Sequence, residues 1–291
     1  MKTSSFGKRS SKAVESRDKI KEAIQAVIKQ LMDRVLEKVL IEDPFIPEDH
    51  HAKRPLYAAL VPDEIFKGSH FERRFVTPFG GSWEKLALVA AQNGLGYGSL
   101  AQSISGRVNK ERLRRIQQVL IELEHGEEGQ KRRRPDWNQE LSFILEGRSD
   151  ETLPVTVICD VYAEDIKNKK RYAFELKAPL PNSDQTKVSK EKLLKLYAMD
   201  SPQVDEAYFA LPYNPYGVKE KYAWSYPFRW FDMKKDFVVL IGNEFWEKVG
   251  GLGTYQAFIS AVNEVAPEYK NRIYREFLGI EPPPNAVQVE L

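Results

Sequence analysis

Two short runs constrain this chain more than anything else in it: VTVICDVY at residues 155–162 and RYAFELK at 171–177. The first is β-branched and apolar up to Asp160, so it reads as a buried strand. In the second, Tyr172, Phe174 and Leu176 fall on one face and Ala173, Glu175 and Lys177 on the other. The polar stretch 164–170 between them is short enough to be a hairpin tip. A Lys-rich helix at about 188–199, a strand at 207–211 and a strand at 237–241 follow. No Gly-rich phosphate loop and no regular strand–helix alternation accompanies them. The order therefore predicts an α/β core with a mixed central sheet flanked by helices, not a doubly wound parallel sheet.

Upstream, Ile20, Ile24, Val27, Ile28, Leu31, Val35 and Val39 recur at helical spacing among charged residues, as one amphipathic helix of about 25 residues requires. Its stripe packs on a core or on a second copy of the chain. Prolines 44, 47, 55 and 62 point to an irregular connection. Further helices are expected after Ser82, over 107–124 and over 137–145. The expected organisation is an N-terminal helical and irregular extension, residues 1–70, packed on a main domain at 71–291.

Composition excludes several classes. The net charge of +2, from 44 Lys and Arg against 42 Asp and Glu, carries no bulk signature of a nucleic-acid binder, so any basic surface must be local. One cysteine, Cys159, rules out a disulfide framework, and four unpaired histidines do not make a zinc site. With no long apolar run and a polar start, the chain reads as soluble, cytoplasmic and without a membrane partner.

The pattern D/E-x-K occurs at Asp165–Lys167, Glu175–Lys177, Asp232–Lys234 and Glu268–Lys270. By itself it means little. Only Glu175 lies on a strand with an Asp-bearing strand just before it, and Asp160 ends an apolar run where an unpartnered carboxylate is costly. Asp160 and Glu175 on neighbouring strands, with the Leu176 carbonyl between Glu175 and Lys177, are a donor set for hard Mg²⁺. Lys177, two residues beyond Glu175 and about 7 Å along the strand, lies on the same face and can hold a water. That combination meets the needs of phosphodiester hydrolysis.

FELKAPLPNSDQTKVSKEKLLKLYA at 174–198 resembles the active-site block of the TdeIII family of type II restriction endonucleases. Blocks 71–91 (FERRFVTPFGGSWEKLALVAA), 212–217 (PYNPYG) and 239–251 (VLIGNEFWEKVGG) agree with it. The resemblance implies a PD-(D/E)xK restriction-endonuclease-like core, Mg²⁺, double-stranded DNA, a homodimer and an interrupted palindrome similar to G-G-N-C-C. It also implies cleavage of both strands leaving 5′-phosphate ends, and a cognate DNA methyltransferase acting on the same site. It assigns Asp160 and Glu175 as metal ligands and Lys177 as the water-orienting group. Cys159 stands where the signature has proline. Glu84, or as a rival Glu140, is a candidate accessory carboxylate, although a helix dipole accounts for Glu84 equally well. A repair or recombination nuclease of the same fold and a non-catalytic DNA-binding module are the competing readings.

Candidates for DNA contact are Lys187, Lys190 and Lys195 on the helix after the catalytic strand, Lys219 and Arg229 in the aromatic stretch 213–230, and Arg132–Arg134. The run that includes Lys131 is either a solvated loop or a phosphate contact. The aromatics of 213–230 read as packing residues.

Overall fold

Each recognisable strand run finds a partner, and among the described residues these partners build one five-stranded sheet. The computed structural model describes residues 4–125 and 132–283, with side chains from residue 16 onward. The chain falls into two compact units: residues up to 86 together with those from 256 on, and residues 87–255. This division differs from the expected single boundary at 70, which keeps the C-terminal segment with the main domain.

In the first unit, α1 (Ser4–Glu37) buries Ile20, Ile24, Ile28 and Val35 within its own chain, and the π-helical turn that follows it (Lys38–Glu42) buries Val39. Lys21 and Gln25 bond Glu264 at 3.0 and 2.6 Å, while Tyr269 donates to Asp33 at 2.9 Å. The apolar stripe is thus consumed internally and is not a free dimer seam. The proline-rich connection is also more regular than expected. Pro47 and Pro55 open the short helices α2 (Pro47–Lys53) and α3 (Pro55–Ala58), because a first-turn residue needs no N–H and proline's fixed φ suits the helix. Next come α4 (Asp63–Gly80) and α5 (Ser82–Gly94), the latter running into the second unit. Among the described residues no helix is long and apolar enough to cross a membrane.

The second unit is built around the sheet. Its strands are β1 (Gly96–Asn109), β2 (Thr152–Asp165), β3 (Lys170–Leu176), β4 (Glu206–Leu211) and β5 (Val239–Ile241), adjacent in that order. The pairs β1–β2 and β2–β3 are antiparallel, while β3–β4 and β4–β5 are parallel. This is the mixed α/β architecture that the sequence predicts. β1 was not foreseen, and it takes the start of the helix expected from 107. That helix, α6 (Lys110–Glu124), begins where Asn109 accepts the Glu111 N–H at 3.0 Å. Gly106 in β1 lets Met199 approach closely, since a Cβ there would lie 2.7 Å from its sulfur.

On one face, α6, α7 (Trp137–Leu145) and α8 (Ser183–Ala198) cover the sheet through Ile116, Trp137, Leu193 and Leu194 against Val157, Ala173 and Phe209. The opposite face carries Phe174, which stacks on Tyr208 and meets Phe245 of α9 (Asn243–Gly250) edge-on. β3 is therefore buried on both faces. The helix α10 (Thr254–Arg272) leads back into the first unit. The aromatic stretch packs as expected: Tyr222 and Trp230 are fully buried. Tyr222, Trp224 and Trp230 donate to Pro179 O, Pro181 O and Ser183 Oγ at 2.8, 2.9 and 3.0 Å. They pin the loop from Lys177 to α8, whose first turn is capped by Asn182.

Candidate active site

The ladder between β2 and β3 runs from the hairpin tip to Val161 opposite Phe174 and stops there. Beyond that point the Leu176 N–H is taken by the Asp160 carboxylate, Oδ2 at 2.7 Å. On the other side of β2, the pairing with β1 skips from Leu100 to Gln102. Ala101, the residue skipped, has φ 49°, a left-handed backbone that costs about 1–3 kcal/mol in a non-glycine residue and concentrates at functional sites. Asp160 thus sits where β2 is released from both neighbours, and its side chain replaces the missing main-chain bond.

Lys177 Nζ lies 3.1 Å from Asp160 Oδ2, 2.7 Å from Glu175 Oε1 and 2.8 Å from the Leu176 carbonyl oxygen. Three oxygens from two strands converge on one positive charge. Glu175 is 3% exposed, and its carboxylate is held from α8 by Lys192 at 2.7 Å and Ser189 at 3.4 Å. Burial pulls the Lys177 ammonium down most, but Glu175 and then Asp160 more than offset this, and its pKa stands above the ordinary lysine value. It is charged at neutral pH and donates to all three oxygens. The Cys159 thiol is pushed up to about 12, chiefly by burial and then by Asp160. It is inert at neutral pH.

The three residues expected to form the centre are therefore brought together. Sequence reasoning missed Ser189 and Lys192, which their helical spacing of three places on the α8 face toward β3. Glu84 occupies the first turn of α5, half-buried, in the first unit. Glu140 is unavailable as an accessory ligand: it is fully buried, paired with Lys190 at 2.5 Å, and accepts the Asp136 N–H at 3.2 Å.

Two of the proposed DNA contacts need correction. Lys190 is fully buried, bonded to Glu140 and to the Trp230 carbonyl, with its ammonium over Trp137 and Phe231. Residues 186, 189, 190, 193 and 194 line the inner face of α8, so a lysine at 190 has to point inward. Lys219 is turned to Val239 O at 2.6 Å and Glu244 at 2.9 Å and ties its turn to β5 and α9. Lys195 pairs with Glu191 along the helix. Lys187, against Glu124 and the Trp230 ring, and Arg229 remain at the surface. Lys131 lies outside the described residues.

Known proteins fit this picture. The chain is similar to the type II restriction enzymes HgiEI and HgiBI of Herpetosiphon aurantiacus, 27% and 26% identical over 267 residues, 86% of this chain and 93% of each relative. HgiCII of the same organism is 25% identical over 229 residues, 77% of this chain and 82% of the relative. The class is that of the type II restriction endonucleases, site-specific deoxyribonucleases of restriction–modification systems. The model of the HinfI type II restriction endonuclease family matches residues 20–266, and the chain belongs to that family. The four blocks similar to the TdeIII family all lie inside this match. Their class is the one found, and the family shown is that of HinfI.

Proposed function

We propose that Asp160, Glu175, Leu176 and Lys177 are the hydrolytic centre of a PD-(D/E)xK nuclease that uses Mg²⁺ to cut both strands of a short palindromic DNA site. The convergence of Asp160 Oδ2, Glu175 Oε1 and Leu176 O on the Lys177 ammonium carries this reading, because oxygens that gather round one cation suit another. The donors fit the metal. All are hard oxygens, and among the described residues no group of three or more His, Cys, Asp or Glu converges. The site therefore relies on two carboxylates and a carbonyl, as Mg²⁺ sites completed by water and phosphate oxygens do. When bound, the ion offsets the negative charge that builds on the phosphate. Lys177 stays protonated and orients the attacking water in line with the leaving oxygen. Lys192 and Ser189 hold the Glu175 carboxylate in place from behind, and the Asp160 bond to Leu176 N–H fixes the second carboxylate.

Water attack with the 3′ oxygen as the leaving group leaves 5′-phosphate and 3′-hydroxyl ends. A mapped plasmid incubated with the protein and Mg²⁺ should give discrete fragments whose sequenced ends share one short palindrome, similar to G-G-N-C-C, and EDTA should stop the reaction. Cutting that follows branches or ends irrespective of sequence would favour a repair or recombination nuclease. Binding without cutting would favour a DNA-binding module.

A single centre of this kind cuts one strand, so the proposed enzyme is a symmetric homodimer whose two-fold matches that of the site. A cognate methyltransferase acting on the same site protects the host DNA. Sedimentation with a short duplex bearing the site should give two chains per duplex. A 1:1 complex that cuts both strands in one encounter would contradict the dimer.

A further inference from the structure

The arginines of the run 132–134 meet Arg229 across nearly a hundred residues of sequence. Arg132, Arg133, Arg134 and Arg229 line one concavity with Pro135 and Phe228. Arg132, Arg134 and Arg229 are exposed. Of the neighbouring acids, Glu122 bonds Arg133 at 3.0 Å and Glu124 bonds Lys187 at 2.5 Å. Glu124 also faces His125 at 3.5 Å and Arg229, but four arginines and Lys187 outnumber these two acids and leave the concavity positive. Lys187 ties this patch to the catalytic strand: it lies two residues before Ser189 and five before Lys192 on α8, the two residues that hold Glu175. At the helical rise of 1.5 Å, Lys187 is about 7.5 Å along the axis from Lys192, the length of about two stacked base pairs.

We infer that Arg132, Arg134 and Arg229, with Lys187 beside them, form a sequence-independent clamp for backbone phosphates next to the scissile one. This deepens the nuclease reading, on which it rests for the position of the cut phosphate. An arginine that reads guanine extends into the major groove and spends its fork on O6 and N7 of one base. Here the arginines converge from two segments on one hollow, which suits the charge and size of a phosphate. Clamping a flanking phosphate fixes the register of the strand over Asp160 and Glu175 without restricting sequence.

The test is anisotropy titration of a fluorescent random-sequence duplex in Ca²⁺ over a series of salt concentrations, repeated with a duplex bearing the cleaved palindrome. The variants are Arg134→Ala with Arg229→Ala, and Arg134→Lys with Arg229→Lys. All are surface changes, checked by circular dichroism. The alanine pair should weaken binding about tenfold or more on both duplexes and lower the slope of log K against log salt by about 2. The lysine pair should keep most of the affinity, since a phosphate needs the charge more than the fork. The proposal falls if the wild type does not bind random duplex, if affinity and slope are unchanged in the alanine pair, or if the loss is confined to the palindrome. The last result would make these arginines base readers. Failure of the catalytic reading is separate: a wild type that binds through this clamp yet cuts nothing in Mg²⁺ overturns only the assignment of Asp160 and Glu175.

Discussion

Glu175→Gln will reduce the rate of DNA cleavage by about 10²–10³-fold, the usual cost of losing one electrostatic contact to the transition state, while the protein remains folded. The substitution keeps the volume, and its one amide oxygen can accept either from Lys192 or from Ser189 and Lys177. It removes the charge that, with Asp160, gathers a cation. Asp160→Ala should cost at least as much, since it also strips the Leu176 N–H of its partner. Single-turnover cleavage at saturating protein separates the chemical step from binding. Duplex affinity in Ca²⁺, in which cleavage is expected not to proceed, should change little for Glu175→Gln. A variant with more than a tenth of wild-type rate would remove Glu175 from the mechanism.

Lys190→Met should destabilise the fold by about 3–5 kcal/mol, the cost of leaving one partner of a buried ion pair uncompensated. This is a large share of the 5–15 kcal/mol that holds a domain together. The pair is fully enclosed: Lys190 and Glu140 have no exposed surface, and Lys190 also bonds the Trp230 carbonyl. Burial is the largest influence on both groups and works against their charges, raising Glu140 and lowering Lys190. The fold holds the pair together more than the pair holds the fold. Replacing both residues, Lys190→Met with Glu140→Leu, should therefore restore most of the loss. Denaturant unfolding of the two single variants and the double variant gives the coupling directly. A Lys190→Met protein of wild-type stability with weakened DNA binding would return Lys190 to the DNA interface.

The hairpin was legible because its two runs carry different but compatible signals, one mostly β-branched and one alternating, joined by a polar tip. From it followed Asp160, Glu175 and Lys177, since strand period and antiparallel pairing leave the carboxylates few places to go. β1 was invisible for the converse reason. GYGSLAQSISGRVN has few large apolar residues, and it is a strand because β2 needs an antiparallel neighbour and because glycine permits close packing on Met199. The prolines were misread as breakers: at 47 and 55 they stand in a first turn, where proline begins a helix. Lys190 shows the difference between composition and periodicity. Counting lysines on α8 makes it a DNA contact, whereas the spacing of Thr186, Ser189, Leu193 and Leu194 assigns it to the buried face. The arginine concavity could not be read at all, because Arg229 joins the run 132–134 only through the fold.

In the proposed mechanism, two carboxylates, Asp160 on β2 and Glu175 on β3, hold the catalytic cation. Calorimetric titration of Ca²⁺ into complexes of a duplex bearing the site with wild type and with Asp160→Ala tests it most directly. A saturable binding event is expected in the wild-type complex and should disappear in the variant while the duplex stays bound. Equal Ca²⁺ binding by both complexes would contradict it.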